Sequence, residues 1–316
     1  MSLTQTGLSR AASPRESRRR GAGRSRLARR RRRAGILLSL PAVTVVVMLL
    51  GIPIGQAVYY SMTTWDGIHS TWIGPSAYLT ALKNPIFWRV LENNGLLLIS
   101  IPFAIAIPLG IAALLNEHVR GWRFFRSVYF LPTAVSWVVI GMVATQFFAL
   151  NGLMNKMLAA VGLGSLRTDM LAGQRSALVA LAITFVWSML GTNTIIFLTG
   201  MATLDPTLIE AARVDGLNRR QIFLGVTLPL LRRFVQFAFV ITVISAFSAL
   251  FSLIFVMTGG GPGFGTTTLE FFVYQSAFTN IQFGTGALYG IILFAIMIVV
   301  GLAQLRVVRS HDGEGW

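Results

Sequence analysis

Six long apolar segments follow one another along this 316-residue chain, separated by shorter polar stretches. A helix needs about 20 apolar residues to cross the hydrocarbon of a bilayer, and each segment is close to that length. None of the six contains Asp, Glu, Lys, Arg or His. The pattern therefore predicts an all-α polytopic membrane protein with six transmembrane helices. The predicted spans are residues 35–60, 95–115, 128–150, 177–200, 234–258 and 287–305.

Basic residues are distributed unequally between the two sides of this predicted bundle. Residues 1–33, 116–127, 201–233 and the segment from 306 onward hold 22 of the 27 Lys and Arg residues, whereas the alternate loops hold 5. Loops rich in Lys and Arg remain in the cytoplasm during insertion. Both termini, together with residues 201–233, are therefore predicted to be cytoplasmic.

The composition agrees with a lipid environment. Hydrophobic residues make up 54% of the chain and charged residues 12%, which is half of the roughly 25% typical of soluble domains. The net charge of +16 is concentrated at the N-terminus, where residues 1–33 hold 12 arginines. Residues 1–34 are predicted to be a disordered cytoplasmic arm that sets orientation and contacts anionic lipid, with nucleic-acid binding as the alternative. Residues 306–316 are predicted to be a cytoplasmic tail.

Several kinds of chemistry are disfavoured. Proton-driven carriers place ionisable residues inside the membrane, and the predicted spans contain none. The two lysines, Lys83 and Lys156, do not lie in a GxxxxGK[ST] phosphate loop, so ATP hydrolysis by this chain is not expected. Cysteine is absent, which removes disulfides and thiolate chemistry. The sequence predicts neither a catalytic nor a metal-binding site.

The segment DPTLIEAARVDGLNRRQIFLGVTLPLL, residues 205–231, is polar and lies between the fourth and fifth predicted spans. Asp205 can cap a short helix, and Gly216 can adopt the left-handed conformation that ends it. Asn218 and Gln221 match a capping box at the start of a second helix, which Pro229 helps to terminate. Two short helices with a hinge between them are expected. An ordinary solvated loop is the alternative.

This segment resembles the EAA loop of binding-protein-dependent ABC importer permeases. The family pattern is EAA, three residues, Gly, nine residues and then I-x-L-P, and Val226 in place of Ile is the one departure. The resemblance implies the type I permease fold and a coupling helix that sits in a cleft on an ATPase subunit, whose nucleotide-driven closure moves it. The coupling residues implied are Glu210, Ala211, Ala212, Asp215, Gly216, Leu228 and Pro229.

Further stretches are similar to the carbohydrate permeases of the maltose/glycerol-3-phosphate branch. They are NPIFWRVLENN at 84–94, FFRSVYFLP at 124–132 and FVMTGGGPGFGTTTLEFFVYQSAF at 255–278. Asn94 replaces the usual Thr, and Ser252 stands where relatives often carry Asp. The similarity covers residues 35–305. It implies a multi-pass permease of the bacterial cytoplasmic (inner) membrane that forms half of a translocation pathway.

The partners implied by the resemblance are a second, unlike permease chain, a dimer of ATPase subunits that binds ATP and Mg, and an extracytoplasmic sugar-binding protein. No cofactor is expected on this chain, and nucleic acid is not expected as a partner. A homodimer is the alternative for the membrane core. Glycerol-3-phosphate, another polyol or an amino sugar is the alternative solute. An ion-coupled secondary carrier is the competing class of function.

Two groups of residues are candidates for contact with the solute. The glycine-rich run, which lacks the lysine of a phosphate-binding loop, is predicted to be a tight external turn at the mouth of the pathway. It comprises Thr258, Gly259, Gly260, Gly261 and Pro262. Polar and aromatic residues of the spans are candidates for hydrogen bonding and stacking against sugars, with interhelical packing as the alternative. These are Gln146, Asn193, Ser248, Ser252, Trp137, Trp187 and Phe251.

Overall fold

The computed structural model describes residue 35 and residues 37–116 and 129–312. The predicted arm, residues 124–128 of the FFRSVYFLP stretch and the last four residues of the predicted tail lie outside the described residues. The chain divides into two compact units, Met1–Ala57 and Val58–Trp316. In its described part the first unit is helical, with a π-helical turn at Val47–Gly51.

Six helical segments are long and apolar enough to cross a membrane, as the sequence predicts. They are called spans 1 to 6 below. Their bounds are Leu37–Tyr60, Pro85–Asn116, Trp137–Ala160, Gln174–Met201, Arg232–Met257 and Phe283–Arg306. No strand is present in the part of the chain that the structure describes, where one isolated antiparallel bridge pairs Thr63 with Trp72.

Some spans differ at their ends from the hydropathy pattern. Span 2 begins ten residues earlier than predicted and consists of two helices, Pro85–Leu98 and Ile101–Asn116, because the chain tightens into a turn just before Pro102. Span 3 begins at Trp137 rather than near 128. A 3₁₀ turn at Leu131–Ala134 and the cap formed by Ser136 separate the preceding apolar residues from the helix.

Shorter helices lie in the connections between the spans. On the side of the bundle that holds the glycine run they are Ser76–Lys83, the last part of span 3 at Leu153–Ala160, and Leu269–Tyr274, which continues into a π-helical turn at Gln275–Thr279. In the EAA segment they are Pro206–Val214, Arg219–Ile222, a π-helical turn at Phe223–Thr227, and Leu228–Leu230.

The main apolar core lies among spans 2, 3, 4 and 5. Phe185 and Leu181 of span 4 and Leu253 and Ile254 of span 5 are fully or almost fully buried within it. Gly141 of span 3 permits close packing, since a Cβ there would lie 3.2 Å from Cβ of Val256. A second cluster joins the start of span 2 to span 6, and a third lies where the EAA segment meets spans 2, 4 and 5. Packed apolar side chains therefore connect neighbouring elements at both ends of the bundle.

Candidate functional site

The first helix of the EAA segment has the local structure that its sequence predicts. The Asp205 side chain accepts a hydrogen bond from the backbone N–H of Thr207 at 2.9 Å, and Pro206 occupies the first helical position. That backbone hydrogen bond, with a further contribution from the Thr207 side chain, lowers the pKa of Asp205. The cap is therefore fully ionised at neutral pH and is lost only as the pH falls through this lowered pKa.

Gly216 ends this helix in the left-handed conformation, with φ of 81°. The Leu217 N–H bonds to the Ala212 carbonyl at 3.1 Å and the Gly216 N–H to the Arg213 carbonyl at 3.0 Å, which is the Schellman arrangement. Reciprocal bonds between Asn218 and Gln221, at 2.8 and 2.9 Å, then form the predicted capping box. The two helices thus have fixed ends on both sides of the hinge.

The exposed surface of the first helix differs in one respect from the sequence pattern. Glu210 and Ala211 are exposed, as are Asp215 and Gly216, whereas Ala212 is only 6% exposed. Helical spacing predicts that Ala211 and Ala212 share a face, but in the structure Ala212 is turned away from the exposed face on which Ala211 lies. Leu208, at 47% exposed, is an apolar side chain at the surface close to Glu210.

The second half of the EAA segment attaches these helices to the bundle. Leu231 is fully buried in the third cluster, with Phe197 of span 4 and Ala238 of span 5. Leu228 is half-buried and Pro229 is exposed, one turn before span 5 begins. A Cβ on Gly200 would lie 2.7 Å from the ring of Phe234 and 2.8 Å from Leu231. Only glycine allows span 4 to approach the end of the EAA segment so closely.

The glycine run on the opposite side of the bundle is a tightly bonded turn. Gly259 and Gly260 have positive φ values of 58° and 84°, and a Cβ on Gly260 would lie 2.7 Å from both Phe271 and Thr267. The Thr258 hydroxyl lies 2.8 Å from that of Thr266. The Thr266 hydroxyl bonds to the Gly261 carbonyl, next to Pro262, and that of Thr267 bonds to the Gly260 carbonyl. The predicted tight turn is present, and nearby threonine hydroxyls bond to its carbonyls.

The candidate pathway residues differ in how deeply they are buried. Gln146 and Ser248 are exposed and Ser252 is half-buried, whereas Asn193 is fully buried. Three aromatic residues complete the set. Trp137 stacks on Phe185 with ring centroids 6.2 Å apart, and Phe251 packs on Tyr274 at 5.4 Å. Trp187 lies between two apolar grooves of about 370 and 520 Å³.

A comparison with protein families identifies the chain. The model described as "Binding-protein-dependent transport system inner membrane component" matches residues 106–311, about two thirds of the sequence. The chain belongs to this permease family. The matched region includes the EAA segment, the glycine run and spans 3 to 6. The permease is therefore a multi-pass membrane component of a transport system.

Curated relatives match along almost their whole length. The permease is 31% identical over 284 residues to the "Probable ABC transporter permease protein YurN" of Bacillus subtilis, which covers 88% of this chain and 97% of that protein. It is 29% identical over 282 residues to the "Sulfoquinovosyl glycerol transport system permease protein SmoG" of Agrobacterium fabrum, which covers 88% and 91%. Both relatives are therefore similar to the permease over most of its length.

The fold of the permease is also that of a solved transporter. The chain resembles a chain from the "Crystal structure of a bacterial ABC transporter involved in the import of the acidic polysaccharide alginate" with a TM-score of 0.76. That match covers 90% of the permease and 99% of the other chain at 22% sequence identity. The ABC importer permease fold predicted from the sequence is therefore confirmed.

Asn193 connects three spans of the permease through its side-chain amide. Its Nδ2 donates to the Ala104 carbonyl at 2.7 Å and to the Thr242 hydroxyl at 3.0 Å, linking spans 2, 4 and 5. The residue four positions after Ala104 is Pro108, which has no N–H to donate to that carbonyl. Asn193 therefore supplies the hydrogen bond that the proline removes. These two contacts are interhelical hydrogen bonds, and a solute contact of Asn193 stays a prediction.

Replacing Asn193 with leucine is expected to lower the stability of the permease by about 1–3 kcal/mol, because the buried Ala104 carbonyl loses its donor. The substitution Pro108→Ala restores a backbone N–H and should recover part of that loss. Thermal unfolding in detergent is followed by fluorescence-detected size exclusion for both single variants and the double variant. The three values give the interaction energy between positions 193 and 108. Strictly additive effects would show that the two residues do not act on one carbonyl.

Sequence reasoning missed the side chains that hold the segment directly after the glycine run, residues 263–270. Asn93 donates to the carbonyls of Phe264 and Thr267, both at 2.8 Å. Asn94 accepts from the Leu269 N–H at 2.7 Å and donates to the Glu270 carboxylate at 3.1 Å. Burial raises the pKa of Glu270, while its hydrogen bonds, including that from Asn94, oppose the shift. The departure from the family pattern at Asn94 thus has a structural role in this chain.

Proposed function

We propose that the permease forms half of the translocation pathway of an ATP-driven, binding-protein-dependent carbohydrate importer and that its EAA loop couples to an ATPase subunit. The exposed helix Pro206–Val214, attached to the bundle through buried Leu231, is the observation that carries this proposal. Glu210 and Ala211 at its surface offer a carboxylate and a small side chain to a partner. A motion of this helix would reach spans 4 and 5 through the Gly200 contact.

The charge distribution supports the orientation in this proposal. The sequence segments predicted to share the side of the EAA segment carry most of the Lys and Arg residues, and under the positive-inside rule that side is cytoplasmic. The glycine run then faces outward in the bacterial cytoplasmic (inner) membrane, toward an extracytoplasmic binding protein. ATP and Mg bind to the partner ATPase dimer, and this chain carries no cofactor.

The membrane core is proposed to contain a second, unlike permease chain. Exposed polar residues of spans 3 and 5, Gln146 and Ser248, have little reason to face lipid and are suited to line a pathway between two chains. Half-buried Ser252 lies one turn beyond Ser248 on the same helix. Neutral polar groups beside aromatic rings suit the hydroxyls and apolar faces of sugars. The names of SmoG and of the alginate transporter agree with a carbohydrate solute.

The proposal is tested by purifying the permease through an affinity tag from membranes of its native host. We expect an ATPase subunit and a second permease to co-purify. In nanodiscs, ATP hydrolysis should rise when the loaded binding protein is added. Isolation of the permease without any ATPase, combined with solute uptake that depends on an ion gradient alone, would contradict the proposal and favour a secondary carrier.

A further inference from the structure

A polar cavity of about 660 Å³ lies on the side of the bundle that holds the glycine run. It is bounded by the first turns of span 2, the first turns of span 4 and the loop Gly263-Phe264-Gly265. In the proposed orientation this side is extracytoplasmic. The volume falls within the range of roughly 300–1,000 Å³ found for small-molecule sites. The cavity is separate from the candidate pathway residues, since none of them lines it.

Three charged side chains line this cavity: Arg89, Glu92 and Arg175. Among the described residues these three side chains line the same cavity but form no salt bridge with one another. Arg89 donates to the side-chain carbonyl of Gln174. A guanidinium has five N–H donors, so most of the donors of both arginines remain available for a ligand.

Hydrogen bonds and close packing hold the backbone around these exposed charges. Asn93 also lines the cavity and donates to the carbonyls of Phe264 and Thr267. These two bonds hold the loop Gly263-Phe264-Gly265 against span 2. A Cβ on Gly265 would lie 2.6 Å from Cγ of Gln174, so the loop packs directly on the start of span 4. The Trp88 indole N–H is held by the Leu82 carbonyl at 2.8 Å. A preorganised frame of this kind favours binding because little is left to order.

The combination of side chains defines the chemistry of a suitable ligand. Arginine binds carboxylates through paired N–H donors. Glu92, an acceptor when ionised, suits the hydroxyls of a sugar ring and would repel a bare anion. Trp88 adds an aromatic surface for the apolar face of a sugar. We propose that this cavity is an extracytoplasmic subsite for a saccharide that carries an acidic group, such as a uronic acid residue.

This inference deepens the proposed function, on which it rests, by naming the class of sugar. The acidic group lies against Arg89 and Arg175, and the ring hydroxyls lie against Glu92 and Gln174. Acidic sugars are thereby retained at the outer mouth of the pathway. The predicted outer loops hold five basic residues, and the structure brings two of them, Arg89 and Arg175, to one cavity. The uncharged spans are then not required to select the anion.

The test is a binding measurement on the permease in nanodiscs, purified with the subunits that accompany it and without binding protein. Digalacturonate and neutral galactobiose are compared by isothermal titration calorimetry, because they share stereochemistry and differ in the acidic groups. We expect digalacturonate to bind at least about tenfold more tightly, as charge-assisted bonds are roughly twice as strong as neutral ones. Arg175→Gln should remove that preference. Glu92→Gln should strengthen acid binding by removing a like charge.

Arg167→Gln is the matched control, because Arg167 is an exposed arginine in the connection before span 4 that does not line the cavity. It should bind both disaccharides as the unmodified protein does. Equal binding of the two disaccharides, or a full preference retained in Arg175→Gln, would overturn the proposal. Inorganic phosphate binding as tightly as digalacturonate would refute the saccharide part. ATP hydrolysis stimulated by the binding protein tests the proposed importer function separately. Failure of the saccharide subsite can therefore be distinguished from failure of the importer function.

Discussion

Replacing Glu210 with lysine is expected to reduce solute uptake at least about 30-fold while the permease remains inserted. Glu210 is exposed on the helix Pro206–Val214, beside the small side chain of Ala211. In the proposed coupling interface it meets a basic residue of the ATPase, and loss of one partner of such a pair costs about 2–5 kcal/mol. A lysine adds repulsion to that loss. Uptake into cells and ATP hydrolysis by the purified complex are the two measurements.

Two variants make this result specific. Glu210→Gln keeps the shape and a hydrogen-bond acceptor, so its loss of uptake should be smaller than that of lysine. Asp169→Lys reverses an acidic charge on the opposite side of the bundle and should leave coupling intact, with ATP hydrolysis still stimulated by the binding protein. Normal uptake and normal stimulated hydrolysis in Glu210→Lys would show that this side chain does not meet the ATPase.

Adding a single methyl group at Gly200 is expected to destabilise the permease and to weaken coupling. In an ordinary helix, alanine is favoured over glycine by about 0.5–1 kcal/mol. At Gly200 the new Cβ would lie 2.7 Å from the Phe234 ring and 2.8 Å from Leu231, so span 4 and the EAA segment must separate. Overpacking of this kind costs about 1–3 kcal/mol. Gly200→Ala should therefore be less stable than the unmodified protein. Solute uptake should fall by a larger factor than the amount of protein inserted in the membrane.

Gly110→Ala is the matched comparison for this prediction. Gly110 also lies within a membrane helix, Ile101–Asn116, but a Cβ there would meet no atom within 4 Å in the described residues. It should be as stable as the unmodified protein or slightly more so. Thermal unfolding in detergent, together with uptake assays on both variants, measures the difference. Equal stability of the two variants would mean that the contact between Gly200 and the EAA segment does not constrain the permease.

Local features of the fold were predictable from the sequence because a few neighbouring residues determine them. The cap at Asp205, the left-handed Gly216 and the capping box at Asn218 each depend on residues within about four positions. The number of spans follows from hydropathy in the same way. The start of span 2 was placed too late, because its first turns carry Arg89 and Glu92 and continue the helix without being apolar.

Features that depend on contacts distant in sequence were not predictable from a single sequence. Asn193 donates to the Ala104 carbonyl, 89 positions away in the sequence. Pro108 leaves that carbonyl without a helical N–H donor. The inward position of Ala212 depends on how the two EAA helices pack, which helical spacing alone does not determine. The cavity that collects Arg89 and Arg175 requires spans 2 and 4 to be adjacent. Each of these is a consequence of packing between helices.

The central claim is that the helix Pro206–Val214 is a coupling element held by an ATPase subunit, and site-directed cross-linking tests it most directly. The chain has no cysteine, so Ala211→Cys introduces a unique thiol on the exposed face. A thiol-to-amine cross-linker applied to native membranes is predicted to join this position to a nucleotide-hydrolysing subunit, with a yield that changes when ATP is bound. Thr71→Cys, exposed on the opposite side, should not be joined to it. Failure to capture any ATPase from Ala211→Cys, or labelling of that thiol only from outside the cell, would contradict the account.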